Sequence, residues 1–456
     1  MNIQLIKPTR LDENKKPARY RKSLLPHLSL AILDRLTPVR HHVKIVDDIV
    51  EDIDYSRSYD LVGISAMTVQ AERAYQVADR FREMGVKVIM GGIHPSVLPH
   101  EAKKHADSVV IGEAEGLWEQ ILADFGNNSF KEFYQDTSPS DLRELIIPKW
   151  DNINMKNYIK QMGNKFPRMP IFASRGCFYD CKFCTINKVY GKTFRRRPIA
   201  NILKEIDSLN AKYYFFIDDN IASDFDYCRE LFEALIPKNI VWCIQIPTTL
   251  LKSPELIDLA GRSGCDSMLF GTESFNKKSL KAVNKGFNHP EAYEELFART
   301  RKAGIIPCPT IIFGFDEDTL DQFQVTIDFL EKNKMETALF GILTPFPGTE
   351  IYREMKEAGR IITSNWSMYD FGHVVFQPKN FTVDELKTQF WKTYRKLLSF
   401  KCMAKRLFYI TSMSRRPLAN FYKSLLYMVY NRINVYSYKQ AVSDGVGSVK
   451  NKEVNC

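Results

Sequence analysis

Three cysteines share one short stretch, Ser174-Arg175-Gly176-Cys177-Phe178-Tyr179-Asp180-Cys181-Lys182-Phe183-Cys184, with the spacing C-x3-C-x2-C. Three thiolates held this close can each take one iron of a four-iron cubane. The fourth iron then has no protein ligand, and an open metal position is where chemistry happens. Zinc asks for a different set: four ligands, usually from C-x2-C pairs. No fourth Cys or His lies nearby, and the next cysteine is Cys228. A buried apolar trio is the other alternative, since free cysteine packs as a small hydrophobe. Arg175, Asp180 and Lys182 inside the loop argue against it. The stretch reads as a [4Fe–4S] site, with Cys177, Cys181 and Cys184 as metal ligands and as the catalytic centre.

Such a loop needs a scaffold. From Ile171 onward β-rich runs alternate with helical ones: Ile171–Ser174, Tyr213–Asp218, Ile240–Ile246, Ser267–Thr272, Cys308–Gly314 and Ala338–Thr344. Six repeats predict a partial (β/α)6 barrel with its site at the carboxyl ends of the strands. Tyr213–Ile217 is nearly all apolar, which predicts a strand buried on both faces. Polar residues gather where the strands stop: Asp218, Asp219 and Asn220; Gln245; Gly271, Thr272, Glu273 and Ser274; Asp316. Singly, Asp219 or Asn220 could cap the next helix, and Glu273 could pair with a surface lysine. Together, at successive strand ends, they predict a ligand-binding mouth.

The first part of the chain alternates too. Ile3–Lys7, Val43–Val46, Leu61–Ala66, Val86–Met90 and Ser108–Ile111 read as strands, and Thr68–Met84 carries Val69, Ala74, Val77, Ala78 and Phe81 at helical spacing. An open, Rossmann-like parallel sheet is predicted, with ligands beyond the carboxyl ends of its strands. Two loops lie there: Ser65-Ala66-Met67-Thr68, and Gly91-Gly92-Ile93-His94-Pro95, whose glycines admit a bulky ligand close to the backbone. The expected division is α/β: residues 1–135 as the Rossmann-like domain, 136–170 as a proline-bearing linker, 171–350 as the barrel and 351–456 as a mostly helical tail.

The cysteine loop resembles that of the radical S-adenosylmethionine (radical SAM) superfamily. The resemblance implies that the open iron binds the amino and carboxylate groups of S-adenosylmethionine and that Phe183 lies beside the adenine. It implies a methionine-amino contact at Asp218-Asp219-Asn220 and a ribose contact at Gly271-Thr272-Glu273-Ser274. Leu343-Thr344-Pro345-Phe346-Pro347-Gly348-Thr349 resembles a loop typical of one subgroup. That subgroup carries an N-terminal cobalamin-binding domain, and Ser65-Ala66-Met67, Gly91-Gly92 and Gly112-Glu113-Ala114-Glu115 resemble its elements. Ser65, Thr68, Gly91 and Gly92 become candidate cobalamin contacts. One element, D-x-H-x-x-G, is absent, and His27 is the only histidine in the first loop. Cobalt would then lack a histidine beneath it, unless the domain serves packing or another ligand. The implied activity is cleavage of S-adenosylmethionine to a 5′-deoxyadenosyl radical, hydrogen abstraction from an unactivated C–H bond, and methyl transfer from cobalamin. Radical C–C bond formation, cyclisation or rearrangement is the alternative, and a non-enzymatic Fe–S or cobalamin sensor is the reading of another class. A flavodoxin- or ferredoxin-type electron donor and a small-molecule or lipid substrate are expected.

The bulk numbers fit. Nine cysteines, none before Cys177, make no paired framework, which suits a reducing compartment rather than a disulfide scaffold. The first eight residues are too broken for a signal peptide, so a cytoplasmic location is expected. The net charge of +10 is concentrated: Trp391–Gln440 holds eleven Lys or Arg and no Asp or Glu, leaving about −1 elsewhere. Nucleic-acid binding by the whole protein is not implied. Leu418, Phe421, Tyr422, Leu425, Leu426 and Val429 form a helical stripe in that segment, expected to dock on the barrel. Peripheral contact with anionic lipid through 391–440 is the second reading. Arg195-Arg196-Arg197 is expected to be a solvated face.

Overall fold

A computed structural model describes residues 1–413 and 425, apart from 57, 136–138, 145 and 161–163. Two parallel sheets organise it. The first holds β1 (Asn2–Lys7), β2 (His42–Asp47), β3 (Leu61–Ser65), β4 (Lys87–Gly91), β5 (Ser108–Ile111) and β6 (Phe133–Gln135), in the order β2-β1-β3-β4-β5-β6. It gains one strand over the five expected. The β6 strand is short and lies among Asn- and Lys-rich residues with no alternation to reveal it. The order reverses between β1 and β3, the switch point at which such sheets bind ligands. Both faces are covered, one by a core around Phe81, Val62 and Trp366, the other by a core around Leu5, Ile89 and Trp118. Residues expected to be linker join the second core: Ile153 and Tyr158 are buried there, and the Tyr158 hydroxyl donates to Asp47 at 3.0 Å.

The second sheet begins at β7 (Met169–Ile171). A two-stranded antiparallel hairpin follows, β8 (Ser174–Arg175) with β9 (Arg195–Arg196). Then come β10 (Tyr213–Phe216), β11 (Val241–Ile246), β12 (Cys265–Glu273), β13 (Ile306–Phe313) and β14 (Leu339–Ile342), in the order β14-β13-β12-β11-β10-β7, all parallel. This is the half-barrel. The expected strand Ile171–Ser174 is split, because the Asp218 carboxylate takes the amides of Ala173 and Ser174 away from any neighbouring strand. The other expected strands are found with shifted ends.

The last part of the chain binds the two sheets together. Trp366, Tyr369 and Val375 are buried in the first domain's core, whereas Leu386, Phe390 and Tyr394 of the helix Val383–Leu397 are buried against the barrel. On that helix Lys392, Arg395 and Lys396 face solvent, so its part of the basic segment packs an apolar stripe inward. The stripe from Leu418 to Val429 lies outside the described residues, except Leu425. Among the described residues no helix is long and apolar enough to cross a membrane.

Candidate active site

The cysteine loop is built by anchors on either side of it. Asp218, at the end of β10 and nearly sealed from solvent, accepts from the amides of Ala173 and Ser174 and from the Ser174 hydroxyl at 2.6 Å. Burial pushes its carboxyl up to about 7 despite those donors. Asp219 accepts from the Gly176 amide at 2.8 Å. Gly176 has φ of +89°, and a methyl group there would collide with the Thr193 carbonyl of the returning hairpin. Only glycine fits. Farther on, the Lys182 amide donates to the Val283 carbonyl at 3.2 Å, and the Ile351 amide to the Lys182 carbonyl at 3.1 Å. The Lys182 ammonium pairs with Glu350 and Glu354.

Cys177, Cys181 and Cys184 are half-buried free thiols. They lie close enough for the charges of Cys177 and Cys184 to act on Cys181. Burial pushes Cys181 up to about 12 and Cys184 up to about 11. Three thiols on one short loop can supply one thiolate to each of three irons. The residues fit the [4Fe–4S] group. Asn220 completes the rim: it is 3% exposed, its amide donates to Cys177 Sγ at 3.5 Å, and its carbonyl oxygen is buried with no hydrogen-bond partner.

The structure also says what the other strand-end residues do. Neither Asp219 nor Asn220 caps the next helix; Asp224 does, accepting from Tyr227 N at 2.9 Å. The Glu273 backbone is left-handed, with φ of +63°, and its carboxylate pairs with the buried Lys285. Burial would lower the Lys285 pKa, but Glu273 holds it above the ordinary lysine range. Gly271 leaves room for this pair, since a Cβ would sit 3.0 Å from both charged groups. The Asn288 amide bonds the Gly271 and Thr272 carbonyls at 2.8 and 2.9 Å and fixes that turn. Phe183 lies between Lys285, 5.7 Å from its ring centre, and the Phe315 ring at 6.1 Å. Asp316 is not at the mouth: it is paired with Arg360 and Lys379 and anchors the tail.

Tyr214, Phe216, Trp242, Ile244, Met268 and Phe270 point out of the barrel into its core. Their alternates face the concave side. Gln245 is in register with Leu269, Thr310 with Leu339, and Ile312 with Gly341. Gln245, Leu339 at 40% and Ile217 at 42% are exposed there, and Leu269, Thr310 and Ile312 are half-buried. β10 is therefore open on one face, not buried on both as its composition suggested. Phe371, with φ of +65° and 48% exposed, lays its ring over Gly341. The result is an apolar trough with Gln245 and Thr310 as its polar points.

In the first domain the two predicted loops brace each other. Ala66 N donates to the Gly91 carbonyl at 2.9 Å, and His94 N to the Ala66 carbonyl at 3.1 Å. Gly92 has φ of +98°, and a Cβ there would press on Ala66 O at 2.8 Å. Ser65, Gly91 and Gly92 come together beside Met67, which is 54% exposed; Thr68 is buried and begins a helical turn instead. Tyr20, 48% exposed, is tied to the loop after β2 by the hydrogen bond its amide donates to the Ile49 carbonyl. Ser65, the glycine pair and the exposed Met67 stand beyond the carboxyl ends of β3 and β4 and admit a bulky ring close to the backbone, so the residues fit cobalamin. His27 does not reach out: it caps the helix Leu28–Leu36, and burial pushes its imidazole down to about 3.

Sequence reasoning missed the seam. Glu113 and Glu115 of the first domain meet the cysteine hairpin: Arg175 bonds Glu115 at 2.5 Å and lies 3.4 Å from Glu113, which also pairs with Arg195. Burial would raise Glu113, but the two guanidiniums hold it below the usual carboxylate range. Arg197, 2% exposed, pairs with Glu205. Of the arginine run only Arg196 is a solvated face, so that expectation is corrected. Gly348, with φ of +82°, packs against Val97 of the first domain, where a Cβ would come within 2.9 Å.

Two parallel-sheet domains, one carrying a three-cysteine loop and the other a glycine pair beside its switch point, are the architecture of a cobalamin-dependent radical SAM enzyme. Family comparison agrees: residues 171–330 match the radical SAM superfamily and residues 28–122 the B12 binding domain. The chain is 35% identical to the bacteriochlorophyllide d C-12(1)-methyltransferase of Chlorobaculum tepidum, over 83% of this chain and 84% of that one. It is 31% identical to the same organism's bacteriochlorophyllide d C-8(2)-methyltransferase, over 91% and 92%. Its fold is similar to that of the radical S-adenosylmethionine methyltransferase TsrM from Kitasatospora setae (TM-score 0.60, 16% identity, 78% of each chain). It is also similar to the cobalamin-dependent radical enzyme OxsB (TM-score 0.66, 14% identity, 97% of this chain and 73% of that one). The chain belongs to the cobalamin-dependent radical SAM methyltransferases, enzymes whose cofactors are a [4Fe–4S] cluster, S-adenosylmethionine and cobalamin.

Proposed function

We propose that the protein methylates a carbon of a large, flat, apolar small molecule of the tetrapyrrole kind. The observation that carries this reading is the trough: Ile217, Leu269, Ile312, Leu339 and Phe371 present apolar surface that a soluble barrel would otherwise hide. Burying such surface is worth ~25 cal/mol per Å², so a ring system laid on it binds without many polar contacts. The named substrates of the two bacteriochlorophyllide methyltransferases belong to that class.

The residues divide the work. Cys177, Cys181 and Cys184 hold the cluster, and Asp218 and Asp219 fix the loop that carries them. Phe183, Gln245, Gly271 and Glu273 line the place of S-adenosylmethionine, and Ser65, Gly91 and Gly92 that of the corrin. When bound, the cluster and S-adenosylmethionine supply homolytic cleavage of a sulfonium bond, and cobalamin supplies a methyl carrier. A flavodoxin- or ferredoxin-type donor provides the electrons. The trough wall keeps water and stray hydrogen donors from the reacting carbon.

The test is anaerobic turnover of the reconstituted protein with S-adenosylmethionine, cobalamin, a low-potential reductant and a chlorophyllide. A product one methylene heavier, with release of 5′-deoxyadenosine, is expected. Release without methylated chlorophyllide sinks the substrate class; no release with any chlorophyllide sinks the radical step.

A further inference from the structure

Lys285 is 8% exposed, and its nearest carboxylate is Glu273, itself 7% exposed. The chain goes to some trouble to place it. The backbone of Glu273 is turned left-handed, Gly271 is stripped to hydrogen beside the ammonium, and Asn288 ties the turn from the side. The ammonium faces the cysteine loop: it lies 5.7 Å from the Phe183 ring centre, and its charge reaches both Cys181 and Cys184. The loop that carries it is fastened to the cysteine loop: the Asn284 side-chain amide donates to the Asp180 carbonyl at 3.1 Å, and the Lys182 amide to the Val283 carbonyl at 3.2 Å. Neither Lys285 nor its position was singled out by sequence reading.

A [4Fe–4S] centre held by three thiolates is an anion, and taking up an electron makes it more so. A fixed buried cation whose charge acts on two of those thiolates stabilises the reduced form more than the oxidised one. We propose that Lys285 is a positioning residue that raises the reduction potential of the cluster, and that Glu273 tempers it. The step is the addition of one electron from a low-potential one-electron donor; no bond breaks, and no proton need follow, because the compensating charge is already in place. Lys285 thus decides how strong a reductant the enzyme requires.

The experiment is a potentiometric titration of the reconstituted full-length protein, followed by the electron paramagnetic resonance of the reduced cluster, with iron content measured on each sample. Lys285→Met is expected to shift the midpoint potential downward, Lys285→Arg to hold it near the parent value, and Glu273→Gln to shift it upward. A Lys285→Met protein with full iron and an unmoved potential overturns the proposal. Should Lys285→Met fail to take up iron, Glu273→Gln decides: the upward shift sustains the proposal, and a potential that stays or falls overturns it.

Discussion

The seam between the domains is where a single change should speak most clearly. Glu113→Ala removes a carboxylate, 6% exposed at its side chain, that faces Arg195 at 18% and Arg175 at 13%. Breaking a buried ion pair from one side costs ~3–5 kcal/mol, because the partner charge is left uncompensated. Here both partners keep something: Arg195 still donates to the Ser140 carbonyl at 2.8 Å, and Arg175 still has Glu115. The expected loss is therefore smaller, about 1.5–3 kcal/mol, the range of hydrogen bonds to charged groups. It should appear as weakened docking of the two domains, since Glu113 belongs to one and both arginines to the other. Differential scanning calorimetry of the parent should show the domains melting together, and of the variant two separated transitions. The pH dependence has a definite sign. The folded pKa of Glu113 lies below its unfolded value, which is about 4.3. Its contribution is present above that value and is lost as pH falls through the folded pKa, so parent and variant should converge in acid. A single unshifted transition at neutral pH, or a difference that persists unchanged in acid, would refute the reasoning.

Further outcomes follow from the same geometry. Gly176→Ala places a methyl group on the Thr193 carbonyl at a positive φ, and the variant should retain only a small fraction of the parent's iron after reconstitution while the first domain still folds. Replacing Cys177, Cys181 or Cys184 by alanine should abolish 5′-deoxyadenosine release, with the cluster absorbance reduced or lost; release at the parent rate would remove the site from consideration. Gly341→Val pushes side-chain atoms toward the Phe371 ring, where even a Cβ lies at 3.4 Å. It should raise KM for a chlorophyllide at least tenfold and leave release of 5′-deoxyadenosine without substrate near the parent rate. An unchanged KM would mean that this wall does not touch substrate.

What could be read in the chain divides along a physical line. The cysteine loop was legible because its meaning lies in spacing within eight residues, Cys177 to Cys184. Strand–helix alternation was legible for the same local reason, as was the convergence of polar residues at strand ends. Asp218 and Asp219 were expected to contact a ligand, and in the folded chain they accept from the cysteine loop's own amides, a distinction that residue type alone cannot make. The ion pairs that join the domains were invisible. Glu113 and Arg195 stand 82 positions apart, and nothing in a charged run says whether water or a carboxylate lies opposite. That is why Arg195-Arg196-Arg197 read as a solvated face although Arg197 is buried, Arg195 is half-buried and both are paired. The openness of β10 was hidden in another way. An apolar run looks identical whether both faces meet protein or one face awaits a ligand, so Phe215 and Ile217 resembled core. In the folded chain Ile217 is exposed and Phe215 half-buried, which is the more informative fact. Covering apolar surface on the concave side of a barrel with an apolar ring system is favourable, so the proposed substrate class is argued from the same residues whose role the sequence could not disclose.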